Sequence, residues 1–193
     1  MDNIHFIEAD EARVGTSLIN DVYRLRSEIF SHRLGWEVNS ENGLEKDEFD
    51  ALEVSHIALT DNQKKVVGCW RALPTKGPYM LGTVFPQLLR GERLPQDPDV
   101  WEISRFGVCK DHDTRNPGMV SENTAKLVKS FYDFASLKAI KSYVLVTTVA
   151  CERILRILGV KTRRMGDGQS MQVGIEKSIA LWVDVDESLN LKV

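Results

Sequence analysis

The apolar residues of this 193-residue chain follow a helical period first and a strand period afterwards. Near the N-terminus they recur every three or four positions and predict a helix with one buried stripe, formed by Leu18, Val22, Leu25 and Ile29. Arg26 and Phe30 are four residues apart on a neighbouring face, so we expect their side chains to project together. Residues 37–50 are polar and irregular and predict a loop.

The rest of the pattern alternates strands and helices. Apolar and β-branched stretches predict strands over Ile4–Glu8, Val54–Leu59, Val66–Leu73, Val100–Val108, Tyr143–Val149 and Ile179–Val185. Helical spacing and capping residues predict helices over Tyr79–Leu89, from the N-cap Ser121 to Leu137, and over Ala150–Leu158 before Gly159. A hairpin followed by strand–helix–strand–helix–strand predicts one α/β domain over residues 1–193.

Composition is that of an ordinary globular chain, with 42% hydrophobic and 27% charged residues. No apolar run approaches the roughly 18–20 residues that span a bilayer, and the N-terminus lacks the profile of a signal peptide. Cys69, Cys109 and Cys151 are far apart and show no metal-ligand spacing. We therefore expect a cytoplasmic protein with no membrane span and no metal.

Charge is distributed unevenly. Residues 1–100 carry 17 acidic and 11 basic side chains, whereas residues 101–193 carry 11 acidic and 14 basic ones. The basic stretch 126–164 is either a solvated surface or a docking surface for an acidic partner. Its candidate docking residues are Lys126, Lys129, Arg153, Arg156, Arg163 and Arg164. A pI near 5.8 disfavours binding to nucleic acid.

Charged and aromatic residues recur in a fixed order over the first 106 positions. The pattern consists of Arg26, Phe30, Trp36, then Glu45-x-Asp47-x-Phe49-Asp50, then Arg71, and finally Trp101-Glu102-Ile103-Ser104-Arg105-Phe106. This order resembles the signature of the acyl-homoserine lactone synthases, the LuxI-type autoinducer synthases, and the resemblance covers nearly the whole chain.

The resemblance implies both a fold and a reaction. The fold is a single-domain, three-layer α/β sandwich with a mixed, splayed central sheet, similar to the GNAT acetyltransferases, in which Val100–Val108 and Tyr143–Val149 splay apart. The reaction joins the amine of S-adenosylmethionine to an acyl group carried by acyl carrier protein, and lactone closure then expels methylthioadenosine. S-adenosylmethionine is a substrate, so no cofactor is expected.

Residues at the start of the pattern fit the binding of S-adenosylmethionine. Trp36 and Phe30 suit its sulfonium, because aromatic faces attract cations by roughly 0.5–2 kcal/mol; alternatively, both are core residues. Arg26 either binds a carboxylate bidentately or forms a structural ion pair with Asp47 or Asp50.

Asp47, Asp50 and Arg71 are expected to form one cluster. Two carboxylates three positions apart require a cation if they are buried, and Arg71 lies on a predicted strand between apolar residues. One aspartate then holds the substrate ammonium, or the cluster is a purely structural ion-pair network.

The catalytic candidates besides Asp47 are Glu102 and Arg105. Glu102 lies on a predicted central strand and is a candidate proton acceptor, directly or through water; a water held by a backbone carbonyl is the alternative. Arg105 contacts a substrate carboxylate or a pantetheine phosphate, or forms only a salt bridge. Phe106 is assigned to the substrate site. Thr147 either donates its hydroxyl to a 3-oxo acyl chain or serves strand propensity.

Two competing functions remain. A GNAT-type N-acyltransferase would use acyl-CoA on another amine, but its Gln/Arg-x2-Gly-x-Gly/Ala pyrophosphate loop is not found between Cys109 and Glu122. A non-catalytic binding module would bind without turnover. No Ser, Cys or His nucleophile is needed, because the substrate amine is itself the nucleophile.

Overall fold

A computed structural model describes residues 3–109 and 120–192. Its strands are β1 (Asn3–Ile7), β2 (Ser40–Glu41), β3 (Leu44–Glu45), β4 (Ser55–Thr60), β5 (Val66–Pro74), β6 (Val100–Val108), β7 (Ser142–Thr148), β8 (Thr162–Arg164), β9 (Met171–Val173) and β10 (Glu176–Asp184). Its α-helices are α1 (Ala9–Val14), α2 (Ser17–Arg26), α3 (Met80–Thr83), α4 (Glu122–Lys138) and α5 (Val149–Ile157). A π-helix, Ser27–Arg33, continues α2, and two 3-10 helices cover Glu48–Ala51 and Pro86–Leu89.

Eight of the described strands form a mixed sheet, and β2 and β3 form a separate two-stranded one. The order of the mixed sheet is β1-β4-β5-β6-β7-β10-β8, with β9 also paired to β10. The β6–β7 pair is parallel, whereas β1–β4, β4–β5 and β7–β10 are antiparallel. The β6–β7 register runs from Val100↔Ser142 to Ile103↔Leu145, and both strands continue beyond it. The predicted α/β class with a mixed, open sheet is confirmed.

The Cα positions group the residues into two compact units, which are described separately. Unit 1 comprises Met1–Ala72 and Arg105–Leu127, and unit 2 comprises Leu73–Ser104 and Val128–Val193. The single domain predicted over residues 1–193 stays a prediction.

The core of unit 1 forms where α2 and its π-helical continuation bury one face. The N-cap Thr16 starts α2 by accepting a hydrogen bond from the Ile19 backbone. Val22, Leu25 and Ile29 are each at most 4% exposed, which confirms three of the four predicted stripe positions; Leu18 is only half-buried, and its neighbour Ile19 is fully buried instead. β4 is buried along its whole length, as is usual for strands covered on both faces.

In unit 2, Glu92 joins the segment after α3 to the turn after β8. Its carboxylate accepts hydrogen bonds from Arg163 Nη2 at 2.8 Å, Gly166 N at 2.7 Å and Trp182 Nε1 at 2.8 Å. The bond from Arg163 lowers the pKa of Glu92 to about 2. Gly166 has φ +55°, and a Cβ there would lie 2.3 Å from the Arg90 carbonyl oxygen, so only glycine fits this approach.

Most predicted elements are present with boundaries shifted by a few residues. The helix predicted over Tyr79–Leu89 is instead α3 and a separate 3-10 helix, because Pro86 interrupts α-helical bonding. The segment between Cys109 and Glu122, where no pyrophosphate loop was found, falls mostly in residues 110–119, outside the described residues. Among the described helices, none has both the length and the apolar character needed to cross a membrane.

Candidate active site

Arg26 and Phe30 come from one continuous helical segment of unit 1, and Trp36 follows shortly after its end. α2 ends at Arg26, and the π-helix that follows buries Phe30. The backbone N–H of Trp36 donates to the Phe30 carbonyl at 2.9 Å, which folds the chain back beyond the helix. π-helical turns are rare and are found frequently at functional sites.

The two aromatic rings predicted to share a cation site are in contact. The Phe30 and Trp36 rings stack with centroids 5.2 Å apart and an interplanar angle of 28°. Phe30 is buried, whereas Trp36 is 37% exposed. The Arg105 guanidinium carbon lies 5.5 Å from the Phe30 ring centroid, so one arginine already occupies a position over an aromatic ring.

A short hairpin carries Glu45 into the interior of unit 1. β2 and β3 pair antiparallel across Asn42 and Gly43, whose φ angles are +53° and +75°, as a type I′ turn requires. Glu45 ends β3 with its side chain fully buried. The predicted loop over residues 37–50 therefore contains a hairpin, and the Asn-Gly pair was its sequence signal.

The three-residue spacing of Asp47 and Asp50 has a local cause. Asp47 is the N-cap of the 3-10 helix Glu48–Ala51, and its Oδ1 accepts a hydrogen bond from Phe49 N at 3.0 Å. Asp50 Oδ2 accepts one from Asp47 N at 2.9 Å. The two carboxylates form a reciprocal capping box, which fixes them relative to each other.

Arg26 and Arg71 hold both aspartates. Arg26 donates to both oxygens of Asp50 at 2.8 Å, and its Nε donates to Glu45 Oε2. Arg71 Nη1 donates to Asp50 Oδ1 at 2.8 Å and to Asp47 Oδ1. The predicted proximity of Asp47, Asp50 and Arg71 is confirmed, and Arg26 belongs to the same cluster.

Arg105 closes the cluster from β6. Its guanidinium donates to Glu45 through Nη2 at 3.0 Å, and the same nitrogen lies 2.8 Å from Asp47 Oδ2. The distance between Arg105 Nη2 and Asp47 Oδ2 is that of an ion pair. Asp47 Oδ2 nevertheless makes no hydrogen bond among the described residues, so this oxygen can still accept one. Arg105 has φ +53°, a conformation that costs a non-glycine residue energy and is common at functional sites.

The cluster is balanced in charge and almost completely buried from solvent. Each of its side chains is at most 11% exposed, and the members are Arg26, Arg71, Arg105, Glu45, Asp47 and Asp50. Burial alone would raise the pKa of Asp50, but Arg26 and Arg71 hold it well below its usual range. Burial would lower the pKa of Arg26, yet Asp50 and Glu45 raise it. Three guanidiniums thus face three carboxylates.

Glu102 lies in unit 2 and is 1% exposed. Its Oε2 accepts a hydrogen bond from Met80 N at 2.9 Å, and its Oε1 accepts one from Leu81 N at 2.7 Å. These N–H groups belong to the first residues of α3, so the carboxylate anchors the start of that short helix.

Two further candidates lie on strands. Phe106 is half-buried in the unit 1 part of β6. Thr147 is half-buried on β7 in unit 2, opposite Ile179 of β10. Their substrate-binding roles stay predictions.

Most of the basic residues proposed for docking are already paired. Five of them form ion pairs with acidic residues: Lys126–Glu122, Lys129–Asp133, Arg156–Glu152, Arg163–Glu92 and Arg164–Glu152. Arg153 is exposed on α5 and has no such pair among the described residues. Arg156, on the same helix, is 71% exposed and 3.5 Å from Glu152. The unneutralised positive charge of this set is therefore concentrated on α5.

Sequence reasoning missed three residues of the cluster region. Glu45 stands in the motif but was not assigned to the site, although it bridges Arg26 and Arg105. Tyr23 and His56 lie beside the cluster. Neither had a signal in the sequence beyond its apolar neighbours. Within the described residues, no group of three or more His, Cys, Asp or Glu side chains is arranged to hold a metal ion.

Comparison with known proteins gives a consistent picture. A family model described as autoinducer synthase matches residues 10–193. An acyl-homoserine-lactone synthase of Aliivibrio fischeri is 39% identical over 172 residues, which cover 89% of each chain. A crystal structure of the AHL synthase LasI has a TM-score of 0.82 and 29% identity, over 96% of this chain and 91% of that one.

A CoA-dependent acyl-homoserine lactone synthase, BjaI, solved with SAM and isopentyl-CoA, is similar in fold. Its TM-score is 0.86 at 24% identity, over 98% of this chain and 86% of that one. The likeness to these solved structures confirms the predicted GNAT-like acyltransferase fold.

Proposed function

The chain belongs to the autoinducer synthase family and is an acyl-homoserine-lactone synthase, an acyltransferase, and we propose that it transfers an acyl group from acyl carrier protein to the amine of S-adenosylmethionine. S-adenosylmethionine is consumed, so it is a substrate and not a cofactor. The proposal assigns this activity to residues 1–193 as one domain. It also places the enzyme in the cytoplasm, a location that cell fractionation tests.

The charge-balanced cluster of unit 1 is the observation that supports the proposal. The amino-acid end of S-adenosylmethionine is a zwitterion, and its sulfonium is a soft cation. A buried cluster without net charge accepts a zwitterion without gaining an uncompensated charge. In the proposal, Arg105 and Arg26 attract the substrate carboxylate, and Asp47 Oδ2, which keeps acceptor capacity, holds the ammonium.

The stacked aromatic pair supports the remaining part of this assignment. Trp36 presents an exposed ring, stacked on Phe30, in the same unit as the cluster. A sulfonium is weakly hydrated and is attracted to an aromatic face. We assign the sulfonium to this pair and assign Asp50 and Arg71 to holding Asp47 in place.

The proposed reaction has two bond-exchange steps. The ammonium loses a proton, the free amine attacks the thioester carbonyl, a C–N bond forms, and the C–S bond breaks. The nitrogen gives up a second proton as the amide forms; the leaving thiolate takes up one of the two protons, and the other is released to solvent. One oxygen of the methionine carboxylate then attacks its own γ-carbon, a C–O bond forms, and the sulfonium C–S bond breaks with its electron pair on sulfur. Methylthioadenosine leaves as a neutral molecule.

Glu102 is assigned a part in removing the ammonium proton, directly or through water. Its carboxylate is buried and is held rigidly by two backbone N–H groups, which fixes its position for accepting a proton. Phe106 and Thr147 are assigned to the acyl part of the substrate site, with the Thr147 hydroxyl available to a 3-oxo oxygen.

The α5 helix is the proposed docking point for acyl carrier protein. Arg153 and Arg156 are exposed there, and Ile157 beside them is 58% exposed. Acyl carrier proteins are acidic, so a basic surface attracts them, and salt weakens the attraction. Lys126, Lys129, Arg163 and Arg164 are assigned smaller contributions, because acidic neighbours compensate their charges.

The activity test compares two donors. The purified chain is incubated with S-adenosylmethionine and either acyl carrier protein or CoA loaded with the same acyl group, and the lactone is identified by mass spectrometry. We expect the carrier-bound donor to give the higher kcat/KM. A clear preference for acyl-CoA would overturn the donor assignment, and acylation of another amine without lactone formation would favour the N-acyltransferase alternative.

The docking test uses charge reversal. Arg153→Glu and Arg156→Glu are expected to raise the KM for acyl carrier protein with little change in kcat. Lys177→Glu, an exposed lysine of unit 2 outside the basic set, is the matched control. Equal KM values for all three variants, or a KM that is independent of salt, would remove α5 from the docking surface.

A further inference from the structure

A buried histidine and a tyrosine lie directly behind the aspartate that holds two of the cluster's arginines. His56 on β4 is fully buried and is the cross-strand neighbour of Arg71. Its Nε2 lies 3.5 Å from the Tyr23 hydroxyl oxygen and 3.7 Å from Asp50 Oδ1. The Tyr23 and His56 rings meet edge to face, with centroids 5.4 Å apart and an interplanar angle of 87°. All four residues belong to unit 1.

His56 is neutral in this environment. Burial lowers the pKa of His56 to about 3; Asp50 opposes this shift, and Arg26 and Arg71 add to it. A protonated imidazole would also add a fourth cation to a cluster in which three guanidiniums already balance three carboxylates. A neutral donor contributes its dipole without disturbing that balance.

The position of the ring selects one tautomer. Nε2 faces two oxygen atoms, those of Tyr23 and Asp50, whereas Nδ1 has no hydrogen-bond partner among the described residues. A proton on Nδ1 would bury an unsatisfied N–H and turn the Nε2 lone pair toward a carboxylate. A proton on Nε2 leaves only an unsatisfied acceptor, which is less costly, and directs the N–H dipole at both oxygens.

We propose that the Tyr23–His56 pair positions the substrate-binding cluster by directing a neutral N–H dipole at Asp50. Asp50 Oδ1 already accepts hydrogen bonds from the guanidiniums of Arg26 and Arg71 at 2.8 Å. The imidazole N–H is therefore the third group that directs positive charge at this oxygen. Fixing that oxygen fixes where both guanidiniums lie. The inference rests on the proposed function, in which this cluster binds S-adenosylmethionine.

Replacing His56 by glutamine and by asparagine distinguishes a positioning role from a packing role. The glutamine amide nitrogen reaches the place of Nε2, whereas the asparagine amide reaches only that of Nδ1. We expect His56→Asn and His56→Leu to raise the KM for S-adenosylmethionine by about 2–5-fold, the effect of one weak polar contact, with kcat and the acyl-donor KM little changed. His56→Gln is expected to restore a KM close to the wild-type value. Tyr23→Phe, which removes only the hydroxyl, is expected to give a smaller increase.

The controls separate this inference from its premise. His5→Leu removes a half-buried histidine of β1 that bonds Thr60, and it should leave the KM unchanged. Wild-type protein that binds S-adenosylmethionine and makes no lactone would overturn the proposed function. With an active wild type, equal KM values for His56→Gln and His56→Asn would overturn the positioning role, as would KM increases that only follow losses in melting temperature. If His56→Leu does not fold, Tyr23→Phe and the two amide variants still decide the question through direct calorimetric titration with S-adenosylmethionine.

Discussion

Replacing Asp50 by asparagine is the sharpest perturbation of the cluster, because it changes one charge and little else. Asp50 accepts hydrogen bonds from Arg26, Arg71 and the backbone of Asp47, and its side chain is 5% exposed. Asparagine keeps one acceptor oxygen and turns an NH2 group toward the arginines. Three buried guanidiniums then face two carboxylates.

The expected loss of stability follows from that imbalance. Removing one partner of a buried ion pair costs about 3–5 kcal/mol, because the remaining charge stays desolvated and unpaired. For a domain of this size, each kcal/mol corresponds to about 2–4 °C in melting temperature. We therefore expect Asp50→Asn to melt about 6–20 °C below the wild type at neutral pH.

The effect should depend on pH in a defined direction. The pKa of Asp50 in the folded chain is held well below its usual range by Arg26 and Arg71, against the effect of burial. A lowered folded pKa gives stability that is present above the unfolded pKa of about 3.9 and is lost as the pH falls below it. The difference between wild type and Asp50→Asn should therefore shrink as the pH falls below about 4.

Calorimetric or fluorescence melting over a pH series measures both quantities. The matched control is Asp21→Asn, which breaks the exposed Arg24–Asp21 pair on α2. Exposed pairs contribute about 0–1 kcal/mol, so this variant should melt close to the wild type. If Asp50→Asn melts like Asp21→Asn, or if its deficit is independent of pH, the cluster is not the buried, charge-balanced network described above.

Three further substitutions test other features. Trp36→Ala should weaken S-adenosylmethionine binding by about 2–30-fold in calorimetric titration, with the acyl-donor KM unchanged, because the lost contact is to the sulfonium; an unchanged affinity would remove Trp36 from the site. Glu102→Gln should lower the free energy of unfolding in denaturant by about 2–4 kcal/mol, since two buried N–H groups then share one remaining acceptor. It should also cut turnover by about 10²–10⁴-fold if Glu102 accepts the proton. A stable and fully active variant would contradict both roles. Gly166→Ala should destabilise the fold by about 1–3 kcal/mol more than Gly168→Ala. Both glycines have positive φ, but only a Cβ at position 166 would meet backbone atoms. Equal melting temperatures of the two variants would refute the close approach of the backbone to Gly166.

Local patterns along the chain predicted most of the elements and part of the site. Helical spacing placed Arg26 and Phe30 on one segment, and strand periodicity placed Arg71 and Glu102 on strands. The interval between Asp47 and Asp50 is that of a capping box, whose two hydrogen bonds lie within one turn. These features depend on neighbours only a few residues away in the chain, so a linear pattern is sufficient to predict them.

Which charges meet depends on how folding brings distant residues together. Arg105 pairs with Glu45, 60 positions earlier, and Arg163 pairs with Glu92, 71 positions earlier. A count of acidic residues within the basic stretch could not include Glu92, so the sequence overstated the free positive charge there. Ion pairs form through space between side chains that folding brings within a few ångströms, and the spacing along the chain does not encode those distances. For that reason the sequence predicted a charged cluster, whereas its burial and its balance of charge follow from the fold.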